Sequence, residues 1–344
     1  MKHTLSLVLS SACALGAAFG VACSQTPAPE TPAQPETPPA AVDAPKEPEA
    51  SAPIVIKDAG FQTPESILHE TTADIYLLSN TNGNPLAKDD NGFISKLSPE
   101  GKVLELKWID GSAADVELNA PKGLGISNGK LYVADIDVIR IYDLATGKPQ
   151  SPIKVDGASF LNDVAVGPDG IVYVSDTGLK AGKDGALEPA KKDAIYKVDT
   201  AGKLSTLIKG ESLGAPNGLS ADATGLWVAT WQGKVYRVTN DGKQEAALTA
   251  PGAQLDGVAQ TGDGNVIVSS WEKSMVYLQT ADGQFSPLLS DLKSPADIGY
   301  DSKRGQVMVP LFMDNAVQIQ KLPQLNATAK TETAPATTTA EANK

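Results

Sequence analysis

The sequence predicts an all-β protein: a six-bladed β-propeller, with blades of four antiparallel strands and a ring closed by an N-terminal strand. Three observations predict it. A five-residue phrase recurs six times, as TPESI from Thr63, APKGL from Ala120, FLNDV from Phe160, APNGL from Ala215, QLDGV from Gln254 and SPADI from Ser294. Each copy leads through a short turn into an apolar, β-branched run such as LYVAD, VYVSD, LWVAT or VIVSS, the pattern of buried strands. The copies recur at intervals of 39–57 residues with a mean of 46, close to the period of a propeller blade.

The elements follow in chain order. Residues 1–22 read as a signal peptide: Lys2 supplies the positive start, the run from Leu5 to Val21 is apolar and small, and Val21-Ala22 offers a small-residue cleavage site. The context Phe19-Gly20-Val21-Ala22-Cys23 resembles a bacterial lipobox, with Gly20 where Leu is usual. That resemblance implies lipidation of Cys23 and stable anchoring by several acyl chains; the alternative is ordinary cleavage before a chance cysteine. Ser24 after the cysteine favours the outer membrane on the same resemblance. Cys13 falls in the removed segment, so one cysteine remains, which excludes an intramolecular disulfide and a Cys-based metal cluster.

Residues 23–53 are Pro, Ala and Glu with almost no bulky apolar side chain, a composition that buries too little surface to fold and forms an extended tether. The propeller occupies 54–322. Ile54-Val55-Ile56 precedes the first blade and has no blade of its own, so it is expected to add the outer strand of the last blade and remove a sheet edge. Residues 323–344 are an Ala/Thr-rich tail of disordered composition. Apolar residues make up 41 % of the chain, enough for a core, and the net charge of −12 argues against nucleic acid as a partner. Membrane contact is expected through the N-terminal lipid only.

The phrase keeps its frame and varies its third residue: Glu65, Lys122, Asn162, Asn217, Asp256 and Ala296. In a propeller that position opens the innermost strand of each blade, so these six residues would ring one mouth of the channel. Two joins on the same face are long, 80–92 in blade one and 177–193 in blade three, and are expected to overhang the ring. Glu65, Asn162, Asn217 and Asp256 bring hard oxygen donors to the axis. Such a set suits Ca²⁺, Mg²⁺ or Mn²⁺, with Asp256 placed to accept a proton. The competing reading is that Asn and Asp merely start strands and cap turns.

At these residues the chain resembles the senescence marker protein (regucalcin)/gluconolactonase family, through PES in blade one, NDV in three, PNGL in four and LDGV in five. The resemblance implies a six-bladed propeller binding one divalent cation in its channel, Ca²⁺ first and Zn²⁺, Mn²⁺ or Mg²⁺ as alternatives, and hydrolysis of a lactone. It implies Glu65, Asn217 and Asp256 as metal ligands, Asp256 also as general base, and Asn162 as a contact for substrate or water. Three positions depart from the family pattern. Phe160 stands where an Arg two residues before the blade-three Asn is common, and Ser66 replaces a Gly. Lys122 occupies the blade-two slot as a candidate metal antagonist, which would repel the cation, pair with Glu65 and Asp256 in its place, or turn away to solvent.

Other signals are weaker. Gly125-Ile126-Ser127-Asn128-Gly129 matches G-x-S-x-G, but it joins two strands, not a strand and a helix as that motif requires. Phe160 and Trp231 are candidate substrate contacts; Trp231 and Trp271 follow the second strands of blades four and five on the slot face, where packing between blades is the competing role. Asp135, Asp137, Asp176 and Asp314 read as turn formers. The expectation is therefore a metal-dependent hydrolase of the gluconolactonase type, tethered in the bacterial periplasm and acting on a small lactone or related ester. The alternative is a non-catalytic envelope lipoprotein that binds a protein, peptide or glycan at the channel mouth.

Overall fold

The computed structural model describes residues 52–322 apart from 184, 281 and 282. The chain divides into two units, Met1–Pro48 and Glu49–Lys344. The first unit, and with it the signal peptide, Cys23 and most of the tether, lies outside the described residues, as does the tail from 323. Among the described residues no helix is long and apolar enough to cross a membrane.

The described part is a six-bladed propeller of four-stranded antiparallel sheets. Blade two shows the plan, running outward from the channel as Pro121–Ser127, Lys130–Asp135, Val138–Asp143 and Pro149–Lys154. The inner strands of the other blades are Pro64–Glu70, Leu161–Val166, Pro216–Asp222, Leu255–Gln260 and Gly299–Asp301. The long blade-three join carries its own small hairpin, Leu179–Ala181 against Leu187–Pro189.

The ring closes as the sequence suggests. Ile54–Ile56 pairs antiparallel with Ala316–Lys321, Ile54 opposite Ile319 and Ile56 opposite Val317, and becomes the outer strand of blade six. A polar tie adds to it. The Tyr76 hydroxyl of blade one donates to Asp301 Oδ2 of blade six at 2.7 Å, and Arg304 bridges Asp301 and Asp74. The apolar clusters lie at the blade junctions; one joins Ile139, Leu161 and Val174 of blades two and three, and another joins Ile67 and Tyr76 of blade one to Met308 and Val317 of blade six.

One feature of the inner strands positions the site. In blade two Pro121 pairs with Asp135 and Leu124 with Val133, so Lys122 and Gly123 together face a single residue of the next strand. Blades one, three, four and five shift register at the same place. Two residues opposite one is a β-bulge, which bends the strand and re-aims a side chain. The facing residue is small, and in three blades its hydroxyl takes over the lost ladder bond. Ser79 Oγ accepts from Ser66 N at 2.9 Å, Ser175 Oγ from Asp163 N at 2.9 Å and Ser269 Oγ from Gly257 N at 2.8 Å. The bulges bring neighbouring inner strands so close that a Cβ on Gly218 would stand 2.2 Å from the Asp256 carbonyl oxygen.

A candidate active site in the propeller channel

All six slot residues are buried, Glu65, Lys122, Asn162, Asn217, Asp256 and Ala296. Asn217 donates from Nδ2 to the Leu255 carbonyl at 3.1 Å. A carbonyl partner accepts only, so the amide is oriented, and its Oδ1 is left buried without a hydrogen bond. Glu65 Oε2 is likewise buried and unpartnered. Orphaned buried acceptors are rare because each keeps its desolvation cost.

Asp256 completes the group. Burial pushes its carboxyl up to about 7, the Asp163 charge adds to this, and the Trp271 indole and the Asn217 amide beside it partly offset it. Burial also raises Glu65 well above the usual carboxylate range, with Asp256 adding and Lys122 opposing. The Trp271 Nε1 hydrogen is nevertheless outside full hydrogen-bond geometry, and the atom is a further buried polar group without a partner. Among the described residues no three His, Cys, Asp or Glu side chains gather as a metal-ready cluster. The candidate oxygen set is therefore two carboxyls and an amide, Glu65, Asp256 and Asn217. Its unpartnered acceptors fit a hard cation.

Lys122 makes none of the ion pairs considered for it. Its ammonium donates to the Pro85 carbonyl at 3.1 Å and the Ala120 carbonyl at 3.0 Å, and lies over the Phe160 ring, 4.6 Å from the centroid. It does not reach solvent either, being 2 % exposed. Burial lowers its affinity for a proton, opposed by Glu65 and Asp135. The blade-one loop supplies the Pro85 carbonyl and is clamped onto blade two by the Lys88–Asp137 ion pair at 2.7 Å. Phe160 thus serves the wall under Lys122. Asn162 donates from Nδ2 to Thr177 Oγ1 at 2.9 Å, and Thr177 donates on to the Pro216 carbonyl at 2.9 Å. Trp231 is half-buried at the mouth, with its ring edge-on to Trp271 at 5.8 Å.

Three channel residues lie in the fourth position of the phrase, which the sequence reading did not use as a set. Asp163 Oδ1 accepts from Val164 N and Oδ2 from Leu219 N, both at 2.6 Å, and burial pushes its carboxyl up to about 6. Burial also raises Asp297 well above the usual carboxylate range, with Asp163 and Glu65 adding, and Ser66 Oγ donates to Asp297 Oδ2. The Ser66 departure thus ties blade one to blade six. The signal was present: two Asp stand in a column otherwise made of Gly123, Gly218, Gly257 and Ser66.

A cavity of about 1030 Å³ opens at the opposite end of the channel, with Ser66, Asp163 and Asp297 at its inner end and Thr72, Ser220 and Tyr300 on its walls. Its inner acids already hold hydrogen bonds, whereas Glu65 Oε2 and Asn217 Oδ1 stand unpartnered at the slot end. The G-x-S-x-G segment is a hairpin: Asn128 and Gly129 have φ of 50° and 72°, and Ser127 Oγ is spent on the Gly170 carbonyl at 2.8 Å. Asp135 and Asp176 cap the backbone N–H groups of Ala120 and Phe160, at 2.8 and 2.9 Å; Asp314 pairs with Lys293.

A family model described as "SMP-30/Gluconolactonase/LRE-like region" matches residues 98–297. No curated protein matches the chain in sequence. Among solved structures, a gluconolactonase from Xanthomonas campestris superposes with a TM-score of 0.58 at 16 % identity, covering 76 % of this chain and 87 % of its own. A structure described as a putative gluconolactonase gives 0.59 at 16 %, covering 79 % and 93 %. A catalytically inactive variant of virginiamycin B lyase from Staphylococcus aureus, with quinupristin, gives 0.54 at 14 %, covering 79 % and 100 %. Likeness at these identities establishes the shared fold.

Proposed function

The chain belongs to the SMP-30/gluconolactonase/LRE-like family, and from that premise we propose that it is a divalent-metal-dependent hydrolase of the gluconolactonase type, acting on a lactone or related ester. The observation that carries the reading is the pair of buried, unpartnered acceptors, Glu65 Oε2 and Asn217 Oδ1, in the same ring as Asp256. Glu65, Asn217 and Asp256 would hold the cation. Their hard oxygens suit Ca²⁺, Mg²⁺ or Mn²⁺, with Zn²⁺ accepted by the carboxylates.

When bound, the cation supplies Lewis-acid polarisation of the ester carbonyl. The protein's own groups do the rest. Asp256 takes a proton from the attacking water as its oxygen bonds to the carbonyl carbon. The ring C–O bond then breaks, and the proton passes to the leaving oxygen, giving a hydroxy acid. Asn162, its amide held by Thr177, orients substrate or water at the mouth. Lys122, tied to Pro85 and Ala120, keeps the blade-one loop over blade two. The proposal also has the protein tethered by lipidated Cys23 on the periplasmic side of the outer membrane; the signal-peptide and lipobox resemblances of residues 1–23 support that.

The test is cation binding and turnover by the full-length chain. Ca²⁺ or Mn²⁺ at 100 times its dissociation constant is expected to stabilise the fold by ~2.7 kcal/mol, and a simple lactone is expected to open. Glu65→Ala should lose both effects. Absence of both in the wild-type protein would overturn the reading and leave a non-catalytic binding propeller.

A further inference from the structure

The residue immediately after the second strand occupies an equivalent place in every blade. In blades four, five and six it is Trp231, Trp271 and Phe312, following Gly225–Thr230, Val266–Ser270 and Gln306–Leu311. Each is fixed by its backbone N–H, which donates to the carbonyl of the first residue of the repeated phrase: Trp231 to Ala215 at 2.9 Å, Trp271 to Gln254 at 3.0 Å and Phe312 to Ser294 at 3.1 Å. The rings form a continuous row, with centroids 5.8 Å apart between Trp231 and Trp271 and 5.2 Å between Trp271 and Phe312. In blades one and three the same place holds Thr81 and Thr177, whose hydroxyls are spent on the Pro121 and Pro216 carbonyls. The aromatic row therefore covers one side of the mouth only.

Core packing alone does not account for it. All three rings are only partly buried, and Met313 beside Phe312 is 67 % exposed. The row also reaches the reacting centre, since the Trp271 indole lies beside the Asp256 carboxyl and its Nε1 hydrogen has no full partner. Rings packed in T-shaped and tilted contact, partly open and adjacent to a candidate base, provide a face for a flat or apolar group. Recognition of a polyhydroxylated ring would need free donors and acceptors nearby. Here the Lys122 ammonium is spent on two carbonyls and the Asn162 and Asn217 amide nitrogens are spent on Thr177 and Leu255, which leaves the Trp271 N–H as the donor without a full partner.

We propose that Trp231, Trp271 and Phe312 form a subsite for an aromatic or alkyl substituent, and that the protein selects lactones carrying such a group over sugar lactones. The selectivity rests on the hydrolase reading; the subsite itself does not. Two measurements on the full-length chain separate them. In the first, kcat/KM for dihydrocoumarin should exceed that for glucono-δ-lactone by about tenfold or more, and Trp231→Ala should cut that ratio about tenfold, chiefly through KM, while Trp231→Phe keeps most of it. In the second, chroman, the cyclic ether that has no carbonyl to attack, should quench tryptophan fluorescence saturably. Trp231→Phe should keep that binding, and Phe312→Ala should weaken it severalfold. A preference for glucono-δ-lactone, or an unchanged ratio in folded Trp231→Ala, would overturn the selectivity. Failure of chroman to bind would overturn the subsite. Saturable chroman binding without turnover of any lactone would uphold the subsite and refute the hydrolase reading alone.

Discussion

Asp256→Asn should make the metal-free protein more stable at alkaline pH, although it removes the residue on which the proposed chemistry depends. Asp256 is 4 % exposed, and burial raises its carboxyl from 3.8 to about 7, with the Asp163 charge adding. At about 1.4 kcal/mol per pH unit that gap corresponds to ~4 kcal/mol; relaxation and water entry reduce it to ~2 kcal/mol. The folded state holds this proton more tightly than the unfolded chain. The destabilisation is therefore absent below about pH 4, grows as pH rises, and is complete above about pH 7. An amide of the same shape carries no such cost. In chelator, urea unfolding at pH 8 should show the variant ~2 kcal/mol more stable than wild type, or about 4 °C higher in melting temperature, and the two should converge near pH 4. With saturating Ca²⁺ or Mn²⁺ the order should reverse, because only wild type gains binding energy. A variant that is equally or less stable at pH 8 in chelator would refute the reasoning, since it would mean that a fixed cation such as Lys122 already balances the carboxylate.

Three further outcomes are expected. Gly218→Ala puts a methyl 2.2 Å from the Asp256 carbonyl oxygen; overpacking against backbone should destabilise by ~3 kcal/mol, read as a lower urea midpoint. Lys122→Met removes a positive charge coupled to Glu65 and should tighten Mn²⁺ binding severalfold, by ~1 kcal/mol, in a calorimetric titration. The same change leaves the Pro85 and Ala120 carbonyls without their donor, and should lower stability by ~1–3 kcal/mol. Cys23→Ser should move the protein from the membrane to the soluble fraction on cell fractionation, as loss of a lipid anchor requires.

The blade count, the strand order and the closing strand were legible because they depend on short-range signals: alternation within strands, turns between them, and one apolar triplet without a blade. The slot ring was legible for the same reason, since a repeat fixes equivalent positions. What was not legible depends on neighbouring blades. Lys122 offered three outcomes in the sequence, and its observed place, bonded to backbone carbonyls and neither ion-paired nor in solvent, is set in part by a carbonyl 37 residues away in the blade-one loop. The bulge left only an indirect trace, a column of small residues at Gly123, Gly218 and Gly257, where the next inner strand leaves no room for a Cβ. The aromatic row was half visible: Trp231 and Trp271 share a place in their repeats, whereas Phe312 follows VPL, a second strand that departs from its siblings.

Adjacent acids in this channel have opposite fates, and the bulge decides which. The third and fourth residues of each phrase are consecutive, yet the third faces the mouth and the fourth lies against the next blade. Asp163 and Asp297, in the fourth place, are absorbed by inter-blade bonds. Asp163 accepts from Leu219 N of blade four at 2.6 Å, Asp297 accepts from Ser66 of blade one, and the Asp297 N–H donates to the Glu65 carbonyl at 2.8 Å. In the third place, Glu65 Oε2 and Asn217 Oδ1 have no such anchor. Burial shifts Glu65, Asp163, Asp256 and Asp297 in the same direction, so a perturbed acidity does not by itself mark a reactive acid. The two tiers differ in their unpartnered atoms, Glu65 Oε2 and Asn217 Oδ1, which belong to the third place. The inner tier is satisfied by protein and holds neighbouring blades at fixed spacing. That fixed spacing leaves the outer tier unsatisfied, and an unsatisfied set of hard oxygens is what a divalent cation needs.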